Sequence, residues 1–126
     1  MKTVIFNFVF RALVAISAIV LLFFLYVFLP KKIDLVVVNS SGFDVTYVSV
    51  LACDTAVKFP MIKKGESKKI KFSPGCEGSY DVLYLNGVGE LISSKNLGYI
   101  TTHLYAEDTI SLLNDKAVYI IGRRFL

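Results

Sequence analysis

The apolar residues of this chain fall into two patterns, which meet near residue 30. The first is an uninterrupted run of 18 residues from Ala12 to Leu29, in which Ser17 and Tyr26 are the only polar side chains. At about 1.5 Å per residue a helix of this length measures roughly 27 Å, close to the roughly 30 Å of a bilayer's hydrocarbon core. The pattern therefore predicts a transmembrane helix over residues 12–29.

A cleaved signal peptide is the main alternative for this segment. Such peptides have an apolar region of about 7–15 residues followed by a site of small residues. This run is longer and ends in Tyr26-Val27-Phe28-Leu29-Pro30, so we expect it to stay attached. The apolar residues Thr3 to Phe10 either lie along the membrane interface or extend a tilted span, since Arg11 can direct its charge to the headgroups.

Short apolar and alternating runs replace the helical pattern after Lys32. Turn-forming clusters such as Asn39-Ser40-Ser41-Gly42 separate them. The runs that fit a strand are 33–38, 43–51, 57–62, 69–72, 80–85, 90–93, 97–105, 110–113 and 117–121. Pro60 predicts that its strand lies at a sheet edge or ends early. From these nine candidate runs we expect seven or eight strands in a small all-β antiparallel sandwich or barrel.

This division predicts two parts: an N-terminal tail and anchor over residues 1–32 and a single β-domain over residues 33–126. The basic residues Lys2, Arg11, Lys31 and Lys32 flank the predicted span and account for the net charge of +4. The rest of the chain is formally neutral, which argues against nucleic acid as a partner. The lysines and arginines near the span favour an inside N-terminus and an outside C-terminal domain.

The two cysteines, Cys53 and Cys76, both lie in the predicted β-domain. Outside the cytoplasm an even cysteine count usually indicates a disulfide, so we expect these two to be joined. Two buried reduced thiols in a domain that faces the cytoplasm are the alternative.

Catalytic and metal-binding patterns are weak in this sequence. His103 is the only histidine, and the two cysteines lie 23 positions apart, so neither a CxxC nor an HExxH spacing occurs. Gly87-Val88-Gly89 lacks the third glycine of a dinucleotide loop, and Glu107-Asp108 is expected in a solvated loop. We therefore expect no enzyme activity, no metal site and no cofactor.

Five lysines surround one predicted turn: Lys63, Lys64, Lys68, Lys69 and Lys71. They form either a surface patch for anionic lipid, polymer or protein, or a solvated hairpin whose charges protect an edge strand from aggregation. The second interpretation is favoured. Six tyrosines outside the span are mostly expected in strand packing.

Three segments carry a family resemblance: Val37–Gly42, Gly65–Phe72 and Gly98-Tyr99. They resemble short, single-anchor bacterial envelope proteins that have an immunoglobulin- or transthyretin-like domain, mostly of unassigned function. The resemblance implies a sandwich in a cell-envelope setting and carries no catalytic residues.

These observations favour a non-catalytic binding or accessory module, anchored in the bilayer of a bacterial inner membrane with its domain in the periplasm. A protein partner is expected. Two alternatives remain: an immunity or inhibitor protein against a periplasmic toxin or enzyme, and a small structural subunit of a larger membrane complex.

Overall fold

The computed structural model describes residues 1–29, 31–102 and 105–125, without the side chains of residues 121 and 123–125. Within these residues one helix, α1 (Lys2–Phe28), precedes eight strands. The strands are β1 (Ile33–Asn39), β2 (Val45–Ala52), β3 (Thr55–Ile62), β4 (Ser67–Phe72), β5 (Gly78–Leu85), β6 (Leu91–Ile100), β7 (Tyr105–Leu112) and β8 (Ala117–Phe125). An N-terminal apolar helix followed by a small all-β sandwich is confirmed.

Helix α1 starts ten residues before the predicted span and passes through Arg11 without a break. The upstream residues Thr3 to Phe10 include no proline or glycine, so nothing in them interrupts the helix. At 27 residues the helix is about 40 Å long, and none of its side chains is buried. By length and composition it is able to cross a membrane.

The eight strands form two four-stranded sheets. The first has the order β4-β1-β7-β8 and the second has the order β3-β2-β5-β6. Every ladder is antiparallel except that between β1 and β7, which run parallel with Ile33 opposite Ala106 and Val38 opposite Ser111. Side-chain alternation is the same in parallel and antiparallel strands, so it does not reveal this one parallel ladder in the otherwise antiparallel sandwich. β3 is an edge strand, as Pro60 predicts.

The largest difference in strand boundaries concerns β6 and β7. The predicted strand 90–93 and the first part of the predicted strand 97–105 form a single strand, β6, which ends at Ile100. Its register against β5 shifts where Asn96 and Gly98 have positive φ angles of 58° and 64°. Irregular backbone of this kind looks like a turn in the sequence, although pairing continues through it. β7 begins at Tyr105 and includes Glu107-Asp108, so the prediction of a loop there is wrong.

The core lies between the two sheets and receives alternate side chains from the inner strands. Tyr80 and Tyr84 are the largest fully buried side chains among the residues described. The backbone carbonyls of Leu113 and Lys116 share the one hydrogen of the Tyr84 hydroxyl. Burial, with a smaller contribution from the negative charge of Asp115, raises the pKa of Tyr84 to about 12. Its hydrogen-bonded neutral form therefore persists well above neutral pH.

The end of the sandwich farthest from the helix is fixed by two buried asparagines. The Asn39 amide donates to the carbonyls of Phe43 and Ile62, at 2.6 and 2.8 Å, and its oxygen accepts from Ser41. Asn86 accepts from the amides of Val88 and Glu90 and thereby closes the turn that contains Gly87-Val88-Gly89. Gly87 and Gly89 therefore form part of a turn. The side-chain amide of Asn39 makes hydrogen bonds that stabilise the fold.

Lys31 lies at the junction of the helix and the sandwich and is only 3% exposed. Its ammonium group donates to the Tyr26 carbonyl at 2.6 Å and stands 3.8 Å from the centre of the Tyr26 ring. The Tyr105 ring at the start of β7 is 5.0 Å away. Lys31 thus places its charge at the C-terminal end of the helix, where the helix dipole and the free carbonyls favour a cation.

Candidate functional site

The outer face of the second sheet exposes large apolar side chains. Tyr47 on β2 is 74% exposed, Leu83 on β5 is 39% exposed and Leu91 on β6 is 64% exposed. Each points away from the core because its neighbours along the strand, such as Val48 and Val82, fill the inner positions. A sheet face covered by polar residues is the usual arrangement in water, so this apolar face is the strongest candidate for a binding surface.

Strand register arranges the outer face in rows that cross the sheet. In the row farthest from the helix, Thr46 lies opposite both Met61 and Leu85, and Leu85 lies opposite Leu91. In the middle row Ser49 lies opposite both Lys58 and Leu83, and Leu83 lies opposite Ser93. In the row nearest the helix Leu51 lies opposite Ala56 and Asp81. The apolar character is therefore greatest in the far half of the face.

A β-bulge in β2 presents Tyr47 on this face. The register between β2 and β5 shifts between Thr46 and Ser49, and Tyr47 has a φ of 51°. A bulky residue in this left-handed region is an outlier that costs on the order of 1–3 kcal/mol. The fold thus holds an exposed aromatic side chain on strained backbone, an arrangement that clusters at binding sites.

Two grooves lie on this face and meet at its centre. The larger has a volume of about 500 Å³ and is lined by Tyr47, Val48, Ser49, Lys58, Phe59, Pro60 and Leu83. The smaller has a volume of about 240 Å³ and is lined by Ser49, Leu51, Asp81, Val82, Leu83, Ser93 and Lys95. Both are lined by Ser49 and Leu83, so the two grooves adjoin and together extend across the four strands; we call the pair the transverse groove.

Among the described residues, two lysines and one aspartate are the charged groups that line the transverse groove. Lys58 lies on the edge strand β3, and Lys95 lies on β6 at the opposite side of the sheet. Asp81 lies between them, and one of its carboxylate oxygens accepts a hydrogen bond from the backbone N–H of Asn96 at 3.0 Å. Positive charge therefore stands at both ends of the groove.

The five lysines expected around one turn lie along the edge strand β4 and the turn before it. Lys68 pairs with Glu66 at 2.9 Å and Lys71 pairs with Asp34 at 3.6 Å. Lys63 and Lys64 are in the turn at the far end of β1, about 20 Å from the start of that strand. The lysines are thus spread along a sheet edge, the placement expected of charges that discourage edge-to-edge pairing.

The two cysteines meet at the end of the sandwich nearer the helix. Cys53 is bonded to Cys76, with the two Cα atoms 6.1 Å apart. The Asp54 carboxylate lies beside them, and one ligand atom from each of the three residues falls within 4.8 Å of the others. Sulfur atoms in a disulfide are not thiolates, so this group lacks the ligand form that a metal ion requires.

Asp108 on β7 faces the core and is 1% exposed. One carboxylate oxygen accepts from the Tyr80 hydroxyl at 2.6 Å, and the other accepts from the Tyr119 hydroxyl at 2.7 Å. These donors come from both sheets, so the cluster fastens the sheets together. Short-range sequence patterns did not reveal it because Tyr80 and Asp108 are 28 residues apart. His103 lies outside the described residues.

No family model matches this chain, and no curated protein matches it. A solved structure with a similar fold is that of a protein from Eubacterium rectale, determined by NMR. It aligns with a TM-score of 0.54 and 18% sequence identity, over 74% of this chain and 92% of the other. At this identity the likeness establishes the fold alone.

Proposed function

We propose that the protein is a non-catalytic, membrane-anchored binding module that holds its sandwich outside the cytoplasm and presents the outer face of the second sheet to a protein partner. The observation that carries the proposal is the transverse groove, whose lining includes Tyr47, held out to solvent on strained backbone. Exposed aromatic side chains supply large contact areas in protein interfaces.

Anchoring is supported by helix α1, because none of its apolar side chains is buried and they need a nonpolar surrounding. Only a few residues separate the helix from β1, and Lys31 contacts both the helix and Tyr105. We infer that the helix is retained and keeps the sandwich close to the bilayer. The partner would then be a protein at or near the same membrane.

The outward placement is supported by the Cys53–Cys76 disulfide, because such bonds persist in oxidising compartments. The charge distribution around the helix favours the same orientation. In a bacterial cell this corresponds to a domain in the periplasm, consistent with the envelope setting that the sequence resemblance implies.

Site-specific photocrosslinking in intact cells tests the binding face. The photoreactive residue p-benzoylphenylalanine would replace Tyr47 or Leu83 in the full-length chain, and would replace Lys69 on β4 as the matched control. We expect one discrete adduct of the same mass from the first two positions, because both side chains line the groove. Lys69 is also exposed but lies in the other sheet, so it should give no such adduct. Equal crosslinking from all three positions would contradict the proposed face.

A further inference from the structure

We infer that the transverse groove takes an extended polypeptide segment whose apolar side chains are flanked by carboxylates. This inference rests on the proposed function and adds the chemistry of the partner.

The shape of the groove favours a polypeptide over a small molecule. Small-molecule sites are usually concave and enclose most of the ligand surface. Here the depression is open to solvent and crosses four strands, with Leu83 and Ser49 at its centre. An extended segment can lay several side chains along such a surface, and the serine hydroxyls can meet its backbone polar groups.

The charges of the groove specify what should flank those apolar side chains. Lys58 and Lys95 stand at the two ends of the groove. The Asp81 carboxylate lies between them and already accepts a hydrogen bond from the backbone N–H of Asn96. Complementary charge across an interface steers association and suppresses wrong partners. A segment with an acidic residue toward each lysine satisfies both ends, whereas a basic segment would be repelled.

A second copy of this chain fits the groove poorly. Two copies that pack through this same outer face are related by a two-fold axis, which lies in the plane of contact between the two molecules. If the axis is parallel to the strands, β3 of one copy lies over β6 of the other, which brings Lys58 toward Lys95. If the axis is perpendicular to the strands and passes through the middle row, Lys58 meets Lys58. Both arrangements place like charges together.

The register of the sheet also sets the spacing of the carboxylates. Lys58 and Ser93 are three strand intervals apart, about 14 Å, and Lys95 is two residues beyond Ser93 on the same strand. The two lysines are therefore separated by about 16 Å at the backbone. At about 3.3 Å per residue of extended peptide, this predicts acidic residues roughly four to six positions apart.

The probe is a library of random peptides displayed on phage and selected against the full-length chain in nanodiscs, with empty nanodiscs for counter-selection. We expect selected peptides to have two acidic residues at this spacing with aromatic or aliphatic residues between them. The double variant Lys58→Glu/Lys95→Glu should raise the Kd of a selected peptide at least about tenfold. Lys69→Glu is the matched control and should leave the Kd unchanged.

A further variant, Leu83→Asp, separates failure of this inference from failure of the proposed function. If it abolishes peptide binding while the double charge reversal has no effect, the groove binds peptides but the acidic partner is wrong. If neither change affects any selected peptide, both the inference and the proposed face are overturned. Sedimentation that shows a dimer dissociated by Leu83→Asp would identify a second copy as the occupant and overturn the inference.

Discussion

Replacing Asp108 with alanine should lower the free energy of unfolding by about 3–5 kcal/mol. The side chain is 1% exposed and accepts hydrogen bonds from Tyr80 and Tyr119. A hydrogen bond to a charged group contributes roughly 1.5–3 kcal/mol, and its loss leaves the fully buried Tyr80 hydroxyl without this acceptor. Urea unfolding of the full-length protein in detergent micelles, followed by near-ultraviolet circular dichroism, measures the change.

Glu107→Ala is the matched control, since this neighbouring carboxylate faces solvent. Its effect should stay within about 0.5 kcal/mol, as is usual for exposed positions. If Asp108→Ala does not fold, Tyr80→Phe provides the milder change, with an expected loss of about 1–3 kcal/mol. A loss below about 0.5 kcal/mol in both core variants would contradict the proposed fastening of the two sheets.

Replacing Cys53 with serine should lower the free energy of unfolding by about 3.5 kcal/mol, the chain-entropy value for a loop of this length. The bond joins the end of β2 to the loop before β5, so without it the unfolded chain gains conformational freedom. Thermal unfolding followed by circular dichroism detects the loss as a lower Tm. The double variant Cys53→Ser/Cys76→Ser should have nearly the same Tm as Cys53→Ser.

Thiol alkylation under denaturing, non-reducing conditions verifies the bond in protein taken from intact cells. Both cysteines should resist the reagent until a reductant is added. A chain whose two cysteines alkylate fully without a reductant carries no disulfide, and the outward orientation would then lack one of its two supports.

The sequence predicts the architecture well because local patterns encode it. The uncharged run from Ala12 to Leu29 specifies a helix, and β1 alternates buried with partly buried residues as a half-buried strand should. Pro60 correctly indicates a sheet edge. The pairing direction of β1 and β7 was not predictable in this way, because they are separated by more than sixty residues and alternation does not encode direction.

The candidate site also depends on long-range strand register, and no local sequence motif indicates it. Ser49, Lys58 and Leu83 come from three strands and meet only when the second sheet forms. Nothing in the residues around Tyr47 identifies the bulge, since its φ of 51° is set by pairing on both sides of β2. Glu107-Asp108 was expected in solvent because two adjacent acidic residues usually lie at the surface. The buried position of Asp108 is stabilised by hydrogen bonds from Tyr80 and Tyr119. Tyr80 lies 28 residues before Asp108 and Tyr119 lies 11 residues after it, so neither belongs to its local sequence pattern.

We propose that helix α1 crosses a membrane and holds the sandwich outside the cytoplasm. Labelling of intact cells with a membrane-impermeant maleimide tests it most directly, with access through any outer membrane provided by mild permeabilisation. One full-length variant carries Val88→Cys in an exposed turn at the far end of the sandwich, and the other carries Lys2→Cys at the start of the helix. Our account predicts that Val88→Cys is labelled at once and Lys2→Cys only after lysis. Labelling of Lys2→Cys with protection of Val88→Cys would place the sandwich in the cytoplasm and contradict the account.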